Sequence, residues 1–231
     1  MSNTLGARWK STLALIPALA LLGQLSACSS PTGVFEESRK VPAPFSDDPS
    51  RDELQTAILA GGCFWSVEAV FEHVNGVQEV VTGYSGGTAE TAQYDLVVNH
   101  RTDHAEVVRI TFDPSEVTYG QLLQVFFSVV HDPTQIDRQG PDVGRAYRSH
   151  IFYLDGVQRD VALSYIDQLE AAGTFDDPIA TLVDPYFAFH PAEEEHQDFV
   201  RNNPDDDYVV LHSLPKLSRL RALFPGLYVI S

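Results

Sequence analysis

Cysteine, basic residues and long apolar runs are all scarce in this chain of 231 residues. Its two cysteines, Cys28 and Cys63, allow at most one disulfide and make a poor set of zinc ligands. The 15 Lys and Arg residues are outnumbered by 32 Asp and Glu residues, and the net charge of −17 repels the phosphate backbone of nucleic acids. The apolar run at residues 12–22 is shorter than the ~20 residues that a membrane-spanning helix needs. We therefore expect no nucleic-acid partner, no metal site and no transmembrane helix in that run.

The composition is otherwise that of a folded protein. Hydrophobic residues make up 44% of the chain, which is enough for a sizeable core and argues against a mostly disordered protein. The length suits one domain with appendages.

The first 28 residues have the pattern of an export signal. Arg8 and Lys10 form a basic start, residues 12–22 form a short apolar core, and Leu25-Ser26-Ala27-Cys28 follows. This last segment resembles the cleavage box of bacterial lipoproteins, in which the cysteine receives a lipid and becomes the new N-terminus. We expect a lipoprotein signal peptide over residues 1–27; an ordinary secretory signal with an incidental cysteine is the alternative.

Residues 28–52 are rich in Ser, Pro and charge and lack apolar periodicity, which predicts a lipidated N-terminus and a flexible tether. Residues 53–231 would form the catalytic domain. The expected location is the cell envelope, with the protein lipid-anchored to a bacterial membrane and facing the periplasm or the exterior.

Alternating apolar patterns predict an α+β domain with helices packed on a mixed sheet. A buried strand at Thr56–Ala60 is stopped by two glycines, and a helix with apolar residues from Phe64 to Val74 follows. The loop from His131 to Ser149 is long and polar, as functional loops often are. Further strands are expected at residues 107–112, 151–154 and 179–183, and further helices at 122–130, 157–169 and 193–201.

Cys63 lies at the turn between that first strand and helix. The N-terminus of a helix favours a thiolate over a thiol, and Gly61 and Gly62 would let a substrate approach the sulfur. The aromatic rings of Phe64 and Trp65 could enclose a small apolar group such as a methyl. The residues alone leave open that Cys63 is an inert core cysteine.

Five segments resemble, in the same order, the motifs of the peptide-methionine (S)-S-oxide reductases, the A type of methionine sulfoxide reductase. Together they span about residues 56 to 203. They are Gly61-Gly62-Cys63-Phe64-Trp65 with Glu68; Gly83-Tyr84-Ser85-Gly86-Gly87; Thr102-Asp103-His104-Ala105-Glu106; His131-Asp132-Pro133-Thr134 through Arg138-Gln139-Gly140, Asp142, Gly144 and Tyr147-Arg148-Ser149; and Ala192-Glu193 with His196-Gln197.

The resemblance implies a two-layer sandwich that elaborates the ferredoxin-like fold, and a role for each site residue. Cys63 would attack the sulfoxide sulfur, and a buried, neutral Glu106 would protonate the departing oxygen. Tyr94 and Tyr147 would donate hydrogen bonds to that oxygen, and Asp142 would line the pocket or hold a water. Phe64 and Trp65 would cradle the methyl group, while Glu193 and His196 would brace the site.

The chain departs from the family pattern without losing a reacting group. Ser66, Asp103 and Ala146 replace residues common in the family, and Thr91-Ala92-Gln93 replaces the usual Asn-Pro-Thr before Tyr94. The tail from residue 203 to 231 contains no cysteine, although many relatives have a second, recycling one there. An external thiol, thioredoxin-like or glutathione- or glutaredoxin-like, would therefore have to restore Cys63.

The expected substrates are oxidised proteins or free methionine sulfoxide, with no bound cofactor and a monomeric enzyme. Two other functions remain open. A thiol hydrolase would pair Cys63 with a histidine, and a lipid-anchored binding protein would hold oxidised peptides without turnover.

Overall fold

The computed structural model describes residue 1 and residues 39–48 and 53–230. The expected signal peptide and Cys28 lie outside these residues. Within the described part of the chain, no helix is long and apolar enough to cross a membrane.

The described domain contains one six-stranded mixed sheet and one small hairpin. The strands of the sheet are β1 (Gln55–Gly61), β2 (Val77–Ser85), β3 (Ala105–Phe112), β6 (Ser149–Tyr153), β7 (Leu182–Pro185) and β8 (His190–Pro191), and the hairpin consists of β4 (Arg138–Gln139) and β5 (Asp142–Val143). The order in the sheet is β7-β6-β1-β3-β2-β8. The four strands β6-β1-β3-β2 are joined antiparallel, whereas β7 lies parallel to β6.

The helices pack on this sheet through one large core. The α-helices are α1 (Phe64–Glu72), α2 (Tyr94–Val98), α3 (Tyr119–Val125), α4 (Gly156–Ala171), α5 (Phe199–Asn202) and α6 (Leu214–Leu223). Buried side chains of α1, α3, α4 and α6 join those of β1, β3 and β6 in that core. The chain order β1-α1-β2-β3-α3-β6 with the sheet order β6-β1-β3-β2 is the ferredoxin-like arrangement. The expected α+β fold is confirmed.

Most predicted elements are present, but two are displaced or broken. The strand predicted at 179–183 begins at Leu182, because the N–H groups of Ile179 and Ala180 bind Glu170 and Pro133 rather than a strand. The helix predicted at 193–201 divides into a 3-10 turn at Glu194–His196 and the short α5. The break falls at Asp198, whose φ of 53° is left-handed.

Part of the expected flexible tether over residues 28–52 lies on the domain instead. Residues 39–48, which we call the strap, run across α3 and α4. Val41 is 1% exposed within the main core; its N–H donates to Ser128 Oγ at 3.1 Å and its carbonyl accepts from Gln124 Nε2 at 2.8 Å. Further hydrogen bonds to the strap come from Gly120, Tyr165 and Gln168. The sequence did not predict that this segment packs on the domain. Its composition is rich in Pro and Ser, and its contacts are with distant parts of the chain.

Candidate active site

Cys63 is the residue that precedes α1, immediately after β1. Its backbone (φ −57°, ψ 121°) turns the chain from strand to helix, and its carbonyl accepts the N–H groups of Ser66 and Val67. The side chain is 7% exposed. The expected position at a strand-to-helix turn is confirmed.

The two glycines before Cys63 make room for neighbouring side chains of the protein. A Cβ on Gly61 would lie 2.7 Å from Val130, and one on Gly62 would lie 2.7 Å from the side chain of Gln139. Gly62 also has a φ of +92°, which disfavours other residues. The glycines therefore let Val130 and Gln139 pack closely against the turn that carries Cys63, and their role in the approach of a substrate stays a prediction.

Glu106 is buried beside Cys63, near the start of β3. Its side chain is 2% exposed, and its Oε2 accepts the backbone N–H of Phe64 at 3.0 Å. Burial raises the pKa of Glu106 to about 8, against the lowering effect of that hydrogen bond. The carboxyl is therefore mostly neutral at pH 7 and carries a transferable proton.

The sulfur of Cys63 is a neutral thiol in this environment, which corrects the expected thiolate. Burial raises the pKa of Cys63, and the carboxyl groups of Glu106 and Asp142 raise it further when they are ionised. The opposing contributions, a hydrogen bond with Tyr208 and one from the Trp65 N–H, are smaller. Helix-end stabilisation is outweighed because a buried anion loses its hydration.

Tyr94 and Tyr147 converge on the same place from two different loops. Tyr94 begins α2, and Tyr147 ends the 3-10 turn Arg145–Tyr147. Both are half-buried, and both interact electrostatically with Cys63 and Glu106. Burial raises the pKa of Tyr94 to about 12 and that of Tyr147 as well, so each hydroxyl keeps its proton for donation. The unusual residues before Tyr94 have not removed it from the site.

A third tyrosine, Tyr208, completes the site and was missed from the sequence. Its hydroxyl donates to Asp142 Oδ2 at 2.6 Å and is hydrogen bonded to Cys63. Asp142 therefore lies at the site, where one of its carboxylate oxygens accepts the hydrogen bond from Tyr208. Tyr208 follows Asp205-Asp206-Asp207. Nothing in that acidic stretch indicates that it packs against Cys63, 145 positions earlier in the chain.

The two aromatic residues after Cys63 are placed differently. Phe64 is fully buried; its backbone N–H binds Glu106, and its ring lies 5.6 Å from that of His196 and 6.4 Å from that of Trp65. Trp65 is half-buried and stacks on Phe199 with ring centroids 3.8 Å apart and an interplanar angle of 11°. Tyr208 meets the indole edge-on at 5.9 Å. Trp65 is the more exposed of the two rings, and the contact of Phe64 and Trp65 with a methyl group stays a prediction.

Glu193 and His196 brace the site, as expected. Glu193 accepts the hydroxyl of Tyr84 at 2.8 Å and the backbone N–H of Tyr94 at 2.9 Å. His196 Nδ1 accepts the indole N–H of Trp65 at 3.3 Å, and its ring lies 4.2 Å from that of Tyr94. Both residues contact site side chains and hold them in place.

The assembled groups are those that a sulfur-centred reduction requires. A thiol sulfur, a neutral carboxyl and three tyrosine hydroxyls lie close enough to interact with one another. Among the described residues, no group of three or more His, Cys, Asp or Glu side chains is arranged to hold a metal ion. The available chemistry is nucleophilic attack by sulfur with proton donation to an oxygen.

Comparison with known proteins gives a consistent result. A family model described as peptide methionine sulfoxide reductase matches residues 55–225. "Peptide methionine sulfoxide reductase MsrA 2" of Mesorhizobium japonicum is 52% identical over 79% of this chain and 93% of its own length. The protein of the same name from Synechocystis is 56% identical over 72% of this chain and 78% of its own length.

Two solved structures share the fold. The reduced form of Mxr1 from Saccharomyces cerevisiae superposes with a TM-score of 0.63 at 28% identity, over 70% of this chain and 92% of that one. Methionine sulfoxide reductase A of Corynebacterium diphtheriae gives a TM-score of 0.55 at 31% identity, over 75% of this chain and 92% of that one. With this fold, these motifs and this site, the chain belongs to the peptide methionine sulfoxide reductase family.

Proposed function

We propose that this protein reduces the S epimer of methionine sulfoxide, free or in proteins, to methionine. The observation that carries this proposal is the neutral carboxyl of Glu106, held against the N–H of Phe64 next to the thiol of Cys63. A sulfoxide oxygen leaves only if it is protonated, and here the acid and the nucleophile are adjacent. Family membership supports the same activity.

The reaction balances with these groups alone. Cys63 Sγ attacks the sulfoxide sulfur while Glu106 gives its proton to the oxygen, and the thiol proton passes to Glu106. The hydroxyl is transferred to Cys63, which becomes a sulfenic acid as the substrate becomes a thioether. Hydrogen bonds from Tyr94 and Tyr147 stabilise the developing charge on oxygen.

Selectivity for a single epimer follows from a site with distinct positions for each substituent, and the resemblance to the (S)-S-oxide reductases assigns it to S. The tyrosines and Glu106 receive the oxygen and the indole of Trp65 receives the methyl group, so the remaining bond must lead out of the site. Incubation with each separated epimer and dithiothreitol tests this, with Cys63→Ser as the inactive control. We expect methionine from the S epimer alone; similar rates with the R epimer would refute the assignment.

Restoration of Cys63 would require an external thiol. Cys63 is the free cysteine of the described residues, and the sequence after it contains no other. A thioredoxin-like or glutathione-like thiol would attack the sulfenic acid, form a mixed disulfide and release water, and a second thiol would release Cys63. After one turnover without reductant, dimedone should label Cys63. A disulfide between Cys28 and Cys63 in the processed protein would contradict this cycle.

The lipid anchor is the second part of the proposal. Leu25-Ser26-Ala27-Cys28 after a short apolar run supports acylation of Cys28 and a location at the cell envelope. Mass spectrometry of the processed protein should find a lipidated Cys28 at its N-terminus. An unlipidated protein that starts at another residue would refute the lipid anchor and leave the proposed enzymatic activity unaffected.

A thiol hydrolase is less well supported. Among the described residues, the groups that shift the pKa of Cys63 are two carboxyls, a tyrosine and a backbone N–H. A hydrolase of this kind uses a histidine as the base. Methionine formation that consumes dithiothreitol distinguishes the two activities.

A further inference from the structure

Glu68 is a buried acid, five residues after Cys63, with no part in the proposed chemistry. It lies on α1 and is 2% exposed. Its carboxyl faces the backbone N–H groups of Asp198 and Phe199, where α5 begins, and these two groups lower its pKa against the effect of burial. Next to Glu68 on α1, Ala69 packs in a buried cluster with Val200 of α5. Glu68 therefore joins the helix that follows the nucleophile to a segment 130 positions further along the chain.

The start of α5 depends on Glu68, a residue of α1. Asp198 has a left-handed backbone, and its side chain binds Arg201 at 2.7 Å and also Glu72. A side chain at this position often caps its own helix, whereas here the carboxyl of Glu68 faces the first N–H groups. Four residues are too few for a helix to persist by itself, so the contact with α1 determines where α5 lies.

The position of α5 in turn determines the surroundings of Trp65. Phe199, the first residue of α5, stacks face to face on the indole at 3.8 Å. Beside this stack, Ala69, Val200 and Val209 form a small buried cluster against which both rings pack. Two contacts therefore hold the indole: the stack on Phe199 and the hydrogen bond from its N–H to His196.

We propose that Glu68 is a positioning residue that holds Phe199 against Trp65 and so fixes the indole wall of the methionine pocket. This rests on the proposed function, in that Trp65 receives the methyl group of the substrate. Glu68 touches none of the reacting atoms and acts through Phe199. Removing it should weaken substrate binding more than the chemical step.

Glu68→Gln is an informative replacement because the carboxyl of Glu68 is mostly neutral at pH 7. Burial raises the pKa of Glu68 to about 8, so its neutral form predominates at pH 7. The amide of a glutamine has nearly the same shape and can accept the same N–H groups. Glu68→Gln should therefore retain the contact, whereas Glu68→Ala should lose it.

Indole fluorescence reports on this wall directly. The chain contains two tryptophans, Trp9 and Trp65, so the full chain carrying Trp9→Phe has one indole, that of the pocket wall. In that background, Glu68→Ala should shift the emission to the red and lower its anisotropy without substrate present. Glu68→Gln should resemble the parent, as should Glu195→Gln, a change at an exposed acid near α5.

Kinetics supply the second readout. With methionine sulfoxide and dithiothreitol, Glu68→Ala should raise KM by about tenfold and change kcat much less. Phe199→Leu removes the stack but leaves Glu68 in place, and it should reproduce the KM effect. Because both changes act through one contact, the double variant should be no worse than either single one.

The outcomes separate this proposal from the enzymatic one. Unchanged indole emission in Glu68→Ala, or a loss in kcat at constant KM, would overturn the positioning role. Additive effects in the double variant would do the same. If Glu68→Ala does not fold, Phe199→Leu and Glu68→Gln still decide between the outcomes. A parent enzyme inactive on methionine sulfoxide would instead refute the proposed function, while the fluorescence result would stand.

Discussion

At the residue scale, the proton on Glu106 is the feature on which turnover should depend most. A carboxyl buried next to a thiol and bound by one N–H keeps its proton at pH 7. Glu106→Gln keeps the shape and loses the transferable proton, so turnover should fall by about 10²–10⁴-fold.

Measurement of kcat at saturating substrate checks this expectation. Glu116→Gln, an exposed acid in the loop after β3, is the matched control and should remain near the parent. A loss below about tenfold in Glu106→Gln would assign the proton to another group, Tyr147 first.

Tyr208 should control the reactivity of the free thiol. Its hydrogen bond to Cys63 lowers the pKa of a thiol that burial has raised. Tyr208→Phe removes that contribution, so at pH 8 alkylation of Cys63 by iodoacetamide should be slower by about fivefold. Tyr186→Phe, at a partly exposed tyrosine, is the control. Alkylation as fast as in the parent would show that Tyr208 acts on substrate alone.

At the element scale, the strap contributes to the stability of the domain although it precedes it in sequence. Val41 is buried in the main core, whereas Phe45, four residues later, is 92% exposed. Val41→Ala should lower the free energy of unfolding by about 2 kcal/mol, because it removes buried methyl groups and leaves a cavity.

The neighbouring Phe45 provides the control within the same strap. Phe45→Ala removes a larger side chain from water and should change stability by less than about 0.5 kcal/mol. Urea unfolding of both variants makes the comparison. Equal effects would mean that the strap is not held in the observed position in solution.

At the scale of the whole molecule, stability depends on pH through two kinds of buried group. Buried acids lower it as pH rises, and a buried histidine lowers it as pH falls. Burial raises the pKa of Glu106 and Glu68 to about 8 from 4.5, so the folded protein holds these protons more tightly than the unfolded chain. Their contribution to stability is therefore complete below pH 4.5 and lost as pH rises to about 8. Burial lowers the pKa of His131 to about 3 from 6.5, so its contribution is complete above pH 6.5 and lost as pH falls.

Between pH 6.5 and 8 the raised acids outweigh the histidines, because the histidines of the unfolded chain lose most of their protons in this interval, and the free energy of unfolding should decline. The slope for one group is at most about 1.4 kcal/mol per pH unit. Urea unfolding at several pH values should show the decline in the parent and a shallower one in Glu106→Gln. A parent stability that rises over this interval would contradict the raised pKa values.

The features that depend on near neighbours in the chain could be predicted from the sequence alone. Strand and helix periodicity located β1, α1 and the turn with Cys63 between them. The motifs indicated Glu106, Tyr94, Tyr147 and Asp142, which the structure brings together. Local patterns suffice here because a turn needs particular residues, and because a reaction needs particular side chains in a recognisable order.

The ionisation of the site residues and the long-range contacts depend on how the whole domain packs. Cys63 is a thiol because burial outweighs the end of its helix, and burial is a property of the packed whole. Tyr208 reaches Asp142, Glu68 binds the start of α5, and Val41 enters the core, each across many tens of residues. No local pattern encodes such contacts, since they form only when distant segments are packed side by side and excluded from water.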